Sequence, residues 1–362
     1  MKVINVGIAG VGNCASSFVQ LIEGIKSGKL NNHEGIMFES IGGYKCENVN
    51  FTSAFDIDTN KINKDLSEAI YQSPNNSVNH VDVSKINTIV TPGILNNRLP
   101  STVLEKININ EECNEVTVDD IAKSLVESKT QVLICYLPTG SEKDVKSYAL
   151  AAAKANTAFI NCTPELVSRD TQIRDIFIES NIPLLGDDMR SHMGATTLHT
   201  ALIELLHSRG IEINNTYQLN FGGNMDFLNL SDSSRNRSKQ ISKKNALFSA
   251  GIDATNVSAG PNGYIEYLND TKVCYLRIEG TSILGSKIAM ETKLEVEDSP
   301  NSAGVIANAV RIAKVAIDKK LGINEVEETC AFLFKSPVKG KKESESLDAI
   351  SKFIERVEEK DE

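Results

Sequence analysis

The side chains best placed to do chemistry are lysines. Lys239 and Lys243 stand four apart near the end of the stretch NFGGNMDFLNLSDSSRNRSKQISK, residues 220–243. On a helix that spacing puts both ammonium groups on one face, where like charges repel by about 0.2–0.5 kcal/mol. An anion between them would reverse the sign. Arg235, Arg237 and Lys244 add to the same basic run, which contains no acid, in a chain of formal net charge −10. A solvated basic helix face has the same pattern. Against that reading, polar Asn220, Asn224 and Asp226 lead into the run around the pair Gly222-Gly223.

A second constellation lies at the N-terminus. Gly10-Val11-Gly12-Asn13-Cys14-Ala15 joins the β-branched run 2–9 to the amphipathic run SSFVQLIEGIKSG. Gly10 allows a tight turn, Gly12 lets backbone approach a pyrophosphate, and Ala15 takes the third small position where helix meets sheet. The helix start then offers free N–H groups to phosphate. The next strand, expected over 50–55, ends in Asp56. A carboxylate there accepts from the adenosine ribose and repels a 2′-phosphate, so NAD is expected over NADP. A polar insertion at 29–48 lengthens the usual spacing of about 20 residues. Asp58 suits the N-cap of a helix over DTNKINKDLSEAI. Ser191, Gly194 and Thr196 precede another helix, TLHTALIELLHS, and form a second candidate anion site.

These groups need a scaffold, and the pattern supplies one. Strands expected at 131–136, 157–161 and 182–185 alternate with helices at 118–128 and 142–155. That predicts a Rossmann-type, doubly wound parallel sheet, with ligands beyond the carboxyl ends of its strands. Residues 77–115 give no clear element. From 212 the pattern changes to strands at 212–221, 254–258, 272–279 and 287–297, which predicts an inserted, largely antiparallel sheet. The helical period returns after 300, and the tail forms an amphipathic helix with Leu347, Ile350, Phe353, Ile354 and Val357 on one face. The expected division is a dinucleotide-binding domain of 1–200 completed by 301–362, and an α+β domain of 201–300 used for catalysis and oligomerisation.

The bulk numbers exclude several classes. The 362 residues suffice for two domains, and the acidic balance argues against nucleic acid or an anionic membrane as partner. Seven cysteines, odd in number and without a CxxC pair, fit reduced thiols in a cytoplasmic protein. The five histidines form no metal motif, and no apolar run reaches the ~18 residues of a membrane span.

GVGNCASS, AFDID, YLPTGSE, NCTP, GDDMRSHMGAT, NFGGNMDFLNL, SKQISK, NDTK, EDSPNSAG and LFKSP occur in that order. Together they resemble the myo-inositol-phosphate synthase family in its short bacterial and archaeal form, over about residues 3–337. The resemblance implies conversion of glucose 6-phosphate to myo-inositol 3-phosphate, the first step of inositol biosynthesis. NAD oxidises C5, an enolate at C6 attacks the C1 aldehyde, and the same cofactor reduces the ring. It also implies a homotetramer. Active-site lysines fall on Lys239, Lys243, Lys272 and Lys335. Lys239 is implied for proton exchange at O5, Lys243 and Lys272 for phosphate or developing charge, and Lys335 for the O1 aldehyde. Asn220 and Asp226 match positions that hold sugar hydroxyls. Ser191, Gly194, Ala195 and Thr196 match a phosphate-cradling loop. Gly10, Gly12, Asn13, Cys14, Ala15, Asp56, Leu137, Pro138, Asp188 and Asp298 match cofactor positions, and Asp188, Asp270 and Asp298 would orient lysines or nicotinamide. Arg190 replaces the usual lysine, and His192 a common glutamine. Family members differ in needing a divalent or a monovalent cation, for which Asp188 and Asp298 are the candidates.

The main rival is an NAD-dependent dehydrogenase of homoserine dehydrogenase-like architecture. It explains Gly10–Ala15 but not four lysines on separate segments. A non-catalytic NAD-binding scaffold has no need of those lysines either.

Overall fold

β1 (Ile4–Ala9) is apolar along its length, which suits a strand covered on both faces. In the computed structural model, which describes residues 2–30, 34–232 and 257–358, it occupies the centre of a parallel six-stranded sheet of order β3-β2-β1-β4-β5-β6. α1 (Asn13–Lys26) follows β1, then β2 (Val49–Asp56), α2 (Leu66–Ala69), β3 (Val90–Pro92), α3 (Ser101–Leu104) and α4 (Val118–Glu127). β4 (Val132–Cys135), α5 (Glu142–Lys154), β5 (Ala158–Asn161), α6 (Thr171–Glu179) and β6 (Leu184–Leu185) complete the sheet. The strand order reverses beside β1, where β2 pairs with one edge and β4 with the other.

α7 (Ala195–Ser208) leads to the second sheet, of order β10-β9-β7-β8. It comprises β7 (Glu212–Gly222), β8 (Val257–Tyr264), β9 (Thr271–Thr281) and β10 (Lys287–Glu297), with α8 (Met225–Leu230) after β7. The antiparallel expectation holds for β7–β9 and β9–β10, but β8 runs parallel to β7. Its sequence, VSAGPNGY, is rich in turn formers and its register slips at Asn220/Phe221, so alternation gave little guide to it.

Three helices close the chain: α9 (Pro300–Lys319), α10 (Ile323–Leu333) and α11 (Glu343–Glu358). α9 is buried without interruption from Ser302 to Ala316, a stretch that includes Asn308, Arg311 and Lys314. α9, α10 and α11 share one hydrophobic cluster with the first sheet, including Val310, Leu333 and Phe353. Fully buried Arg311 donates to the carbonyls of Phe38 (2.8 Å) and Glu39 (3.2 Å), which pins the polar insertion to α9. No helix among the described residues is long and apolar enough to cross a membrane.

Several local expectations need correction. The helix read over 58–70 shrinks to α2, and its N-cap is Asp65, which accepts from the Ser67 N–H at 3.0 Å. Asn63, with φ +67°, interrupts helical backbone before it. Asp58 instead accepts from the Asn60 N–H at 3.0 Å within a turn. β3 emerges from the unassigned region as a three-residue edge strand ending in proline, too short for periodicity to reveal. In α11, Ile350, Phe353, Ile354 and Val357 are buried, but Leu347 is 41% exposed. The basic run 233–244, with Lys239 and Lys243, lies outside the described residues.

Gly223 marks a close approach of two turns. A Cβ there would lie 2.5 Å from the Ile265 carbonyl oxygen and 2.6 Å from the Asn269 nitrogen, both backbone atoms that cannot swing aside. Gly223→Ala should therefore cost about 1–3 kcal/mol in urea denaturation. Unchanged stability would mean the two turns can part.

Candidate active site

A cleft of about 270 Å³ opens at the carboxyl ends of the first sheet's strands, beside the point where strand order reverses. Gly10 turns into it with φ +90°, and a Cβ there would stand 3.1 Å from the Tyr136 carbonyl group. Gly12 lines the cleft and has open space where a Cβ would be, so any side chain would enter the cleft. Gly12 is also the N-cap of α1 and provides no side-chain cap. The helix start thus presents its N–H groups and partial positive charge to an anion. Asp56 ends β2 on the same wall, its carboxylate accepting from the N–H groups of Val11 (2.7 Å), Ile57 (2.8 Å) and Asp58 (3.0 Å). Buried Lys61 adds an ion pair to Asp56 at 3.7 Å. One oxygen of Asp58 lies buried in this wall without a hydrogen-bond partner among the described residues. A glycine-lined turn, an uncapped helix start and an orphaned acceptor together fit a dinucleotide.

Asn13, Cys14, Leu137, Pro138, Asp188 and Asp298 line the cleft with them. Ala15 does not: it is buried in the core. The Cys14 thiol is pushed up to about 12 by burial and then by Asp298 and Asp270, so it stays protonated and is no nucleophile.

Two lysines project into the deep end from segments far apart in sequence. Lys335 forms an ion pair with Asp188 (2.8 Å), and a short antiparallel backbone ladder brings them together. The N–H of Arg190 donates to Leu333 O (2.9 Å), that of Lys335 to Asp188 O (2.7 Å), and that of Ser336 to Asp187 O (3.0 Å). Lys272, at the start of β9, pairs with Asp298 (2.9 Å), just past the end of β10. Its ammonium also sits 5.8 Å from the Phe227 ring centre. Among the described residues no three His, Cys, Asp or Glu side chains form a metal-holding group, and Asp188 and Asp298 each hold a lysine.

Buried Asp270 ties the cleft to the second sheet. Its carboxylate accepts from Asn13 (3.0 Å), Asn224 (3.1 Å) and the Ser299 hydroxyl (2.8 Å). Burial, and then neighbouring Asp298, push its pKa up against these donors.

A smaller chamber adjoins the cleft and shares Ser191, Asp226, Lys272 and Lys335 with it. Gly194, Ala195, Thr196 and Asn220 complete its wall, so the anion loop and the sugar-binding candidates meet there. Gly194 is the N-cap of α7, again without a side-chain cap. Sequence reasoning missed Lys61; Arg190, expected only as a replacement for the usual lysine of the phosphate loop, lines this chamber. It also missed Asn224 as the cap of α8, which the pattern Gly-Gly-Asn before an apolar run could have signalled.

Comparison with known proteins agrees with this architecture. A family model described as Myo-inositol-1-phosphate synthase matches residues 194–299. The inositol-3-phosphate synthase of Mycolicibacterium smegmatis is 40% identical over 360 residues, 97% of this chain and 98% of that protein. A crystal structure of a myo-inositol-1-phosphate synthase-related protein from Thermotoga maritima is similar with a TM-score of 0.81 and 26% identity, covering 98% of each chain. Inositol-3-phosphate synthase from Caenorhabditis elegans, 16% identical, shares the fold with a TM-score of 0.80 over 99% of this chain and 86% of that one.

Beneath the cleft, fully buried Asp187 accepts from the Asn161 amide (2.7 Å) and the Ser168 hydroxyl (2.6 Å). Burial outweighs these donors and pushes its pKa up to about 7. Between about pH 4 and 7 the folded chain then holds a proton that the unfolded chain has released. That contribution to stability is present at low pH and is lost as pH rises through 7. In urea denaturation, the stability of the native chain relative to Asp187→Asn should therefore fall between about pH 5 and pH 8. A constant or widening gap would contradict the assignment.

Proposed function

The chain belongs to the myo-inositol-phosphate synthase family and is an enzyme, and from that premise we propose that it converts D-glucose 6-phosphate to 1D-myo-inositol 3-phosphate with a recycled NAD. The observation that carries this reading is the convergence of Lys272, Lys335 and the uncapped α7 start at the deep end of a dinucleotide-type cleft. A simple dehydrogenase needs one reacting carbon and one proton acceptor; this site gathers cations around a longer anionic substrate.

When bound, NAD would take a hydride from C5 of the sugar and return it later in the same cycle. A carbonyl at C5 acidifies C6, which loses a proton and closes on C1. Negative charge then develops at O5 and afterwards at O1, beside a phosphate dianion. Lys335 would polarise the C1 aldehyde and donate to its oxygen as the new bond forms. Lys272 would balance charge between the phosphate and O5. Fixed ammonium groups stabilise such oxyanions most where water is scarce and no reorientation is needed. Asp188 and Asp298 hold the two ammonium groups in place before the substrate arrives. Asp226 and Asn220 would take sugar hydroxyls, and Ser191, Gly194, Ala195 and Thr196 the phosphate. Proton exchange at O5 is assigned to Lys239 and further charge balance to Lys243, both outside the described residues.

The proposal extends to assembly. Residues 1–200 with 301–362 would hold the dinucleotide, and 201–300 would supply catalytic groups and the contacts of a cytoplasmic homotetramer. β10, an eleven-residue edge strand, supports this, because an open edge invites pairing with another chain.

NAD should be required yet not consumed, so substoichiometric NAD should sustain many turnovers. Lys335→Ala should lower turnover by at least about 10²-fold while NAD affinity changes little. Phosphorus NMR and NADH absorbance, followed together from glucose 6-phosphate, check both points. NADH accumulating mole for mole with product would overturn the synthase reading in favour of a dehydrogenase. Asp56→Ala should narrow a preference for NAD over NADP in direct binding; equal affinities in the native protein would remove Asp56 from the ribose role.

A further inference from the structure

Arg190 is 6% exposed and lines the small chamber beside Ser191, the α7 start, Lys272 and Lys335. Its main chain is fixed by the hydrogen bond to Leu333. Its Nη1 donates to Glu343 Oε2 at 2.5 Å, while its Nε is buried with no hydrogen-bond partner among the described residues. Glu343 belongs to the first turn of α11, and its own N–H donates to Glu204 of α7 at 2.7 Å. Among the described residues, the three cations of the chamber wall are thus each held by a carboxylate: Lys272 by Asp298, Lys335 by Asp188 and Arg190 by Glu343. Asp298 and Asp188 line the main cleft, whereas Glu343 lines neither cavity.

A buried guanidinium N–H without an acceptor is costly, and the group's planar fork can serve two anions at once. The uncapped α7 start faces the same chamber and attracts an anion independently. We propose that Arg190 is a ligand of the substrate phosphate and that Glu343 on the C-terminal helix is its resting counter-ion, so that α11 sets how tightly phosphate is held. This rests on the synthase reading for the identity of the substrate, but not for the anion chemistry of the chamber. Phosphate and Glu343 compete for one cation across a short distance. Removing the carboxylate therefore frees more of Arg190's attraction for phosphate, while removing the guanidinium weakens phosphate directly.

An ion pair serving only to fasten α11 would respond in the same direction to loss of either partner. The test uses the full chain with NAD and three variants: Arg190→Gln, Arg190→Lys and Glu343→Gln. Inorganic phosphate is titrated by calorimetry, and KM and kcat for glucose 6-phosphate are measured beside thermal melts. Arg190→Gln should weaken phosphate about tenfold or more and act mainly on KM. Arg190→Lys should recover part of that loss. Glu343→Gln should tighten phosphate about threefold. Weakening in both charge-removing variants, or no change in either, would overturn the proposal. If Arg190→Gln does not melt cooperatively, Glu343→Gln decides alone, and unchanged or weaker binding overturns it. Native protein that forms inositol phosphate without these opposed effects would sink the Arg190 assignment only. Opposed effects without inositol phosphate would sink the synthase reading only.

Discussion

Asp270 brings three parts of the chain to one buried carboxylate. Asn13 follows the glycine turn, Asn224 caps α8 after the second sheet's first strand, and Ser299 precedes α9. A carboxylate taken out of water is tolerated only when its lone pairs are met, and its raised pKa records the residual cost. These three donors therefore cannot drift apart without stranding it. Because Asp298 donates its N–H to the Asp270 carbonyl, the Lys272–Asp298 pair is built onto the same node. The wall that would carry redox chemistry and the wall that would carry ring closure are fastened to each other at this point.

The paired cations follow the same logic. A buried ion pair adds little net stability, since desolvation offsets most of the attraction, but losing one partner is expensive. Its use here is placement. Lys335 is delivered by the backbone ladder between 187–190 and 333–336, and Asp188 then fixes where its ammonium lies. An oxyanion arriving at the proposed site would meet charges already oriented, and only the difference between two anionic partners would have to be overcome. Glu343 extends this arrangement to the C-terminal helix, which otherwise joins the core through Ile350, Phe353, Ile354 and Val357.

Local signals were legible where one residue type has one physical use. Gly10 and Gly12 announced the turn, Asp56 the end of β2, and the helical period after 300 the helix α9. The switch near 212 marked the second sheet because alternation replaced helical spacing. Illegible features depend on partners remote in sequence or on elements too short to repeat. β3 has three residues, and β8 is written in glycine, proline and asparagine. Arg190 and Glu343 lie 153 positions apart, so no spacing rule links them. Asp270 could be named from resemblance, but its donors come from three separate segments. Asp65 took the cap expected of Asp58 because Asn63 had already broken the helix.

The central claim is that one site removes hydrogen from C5, closes the ring and restores the same hydrogen without opening. Glucose 6-phosphate carrying deuterium at C5 tests it most directly. The labelled substrate is incubated with catalytic NAD and excess unlabelled free NADH, and the inositol phosphate formed is examined by mass spectrometry and proton NMR. Deuterium retained at the carbon derived from C5 is the predicted result. Its replacement by protium from the free NADH pool would contradict the account.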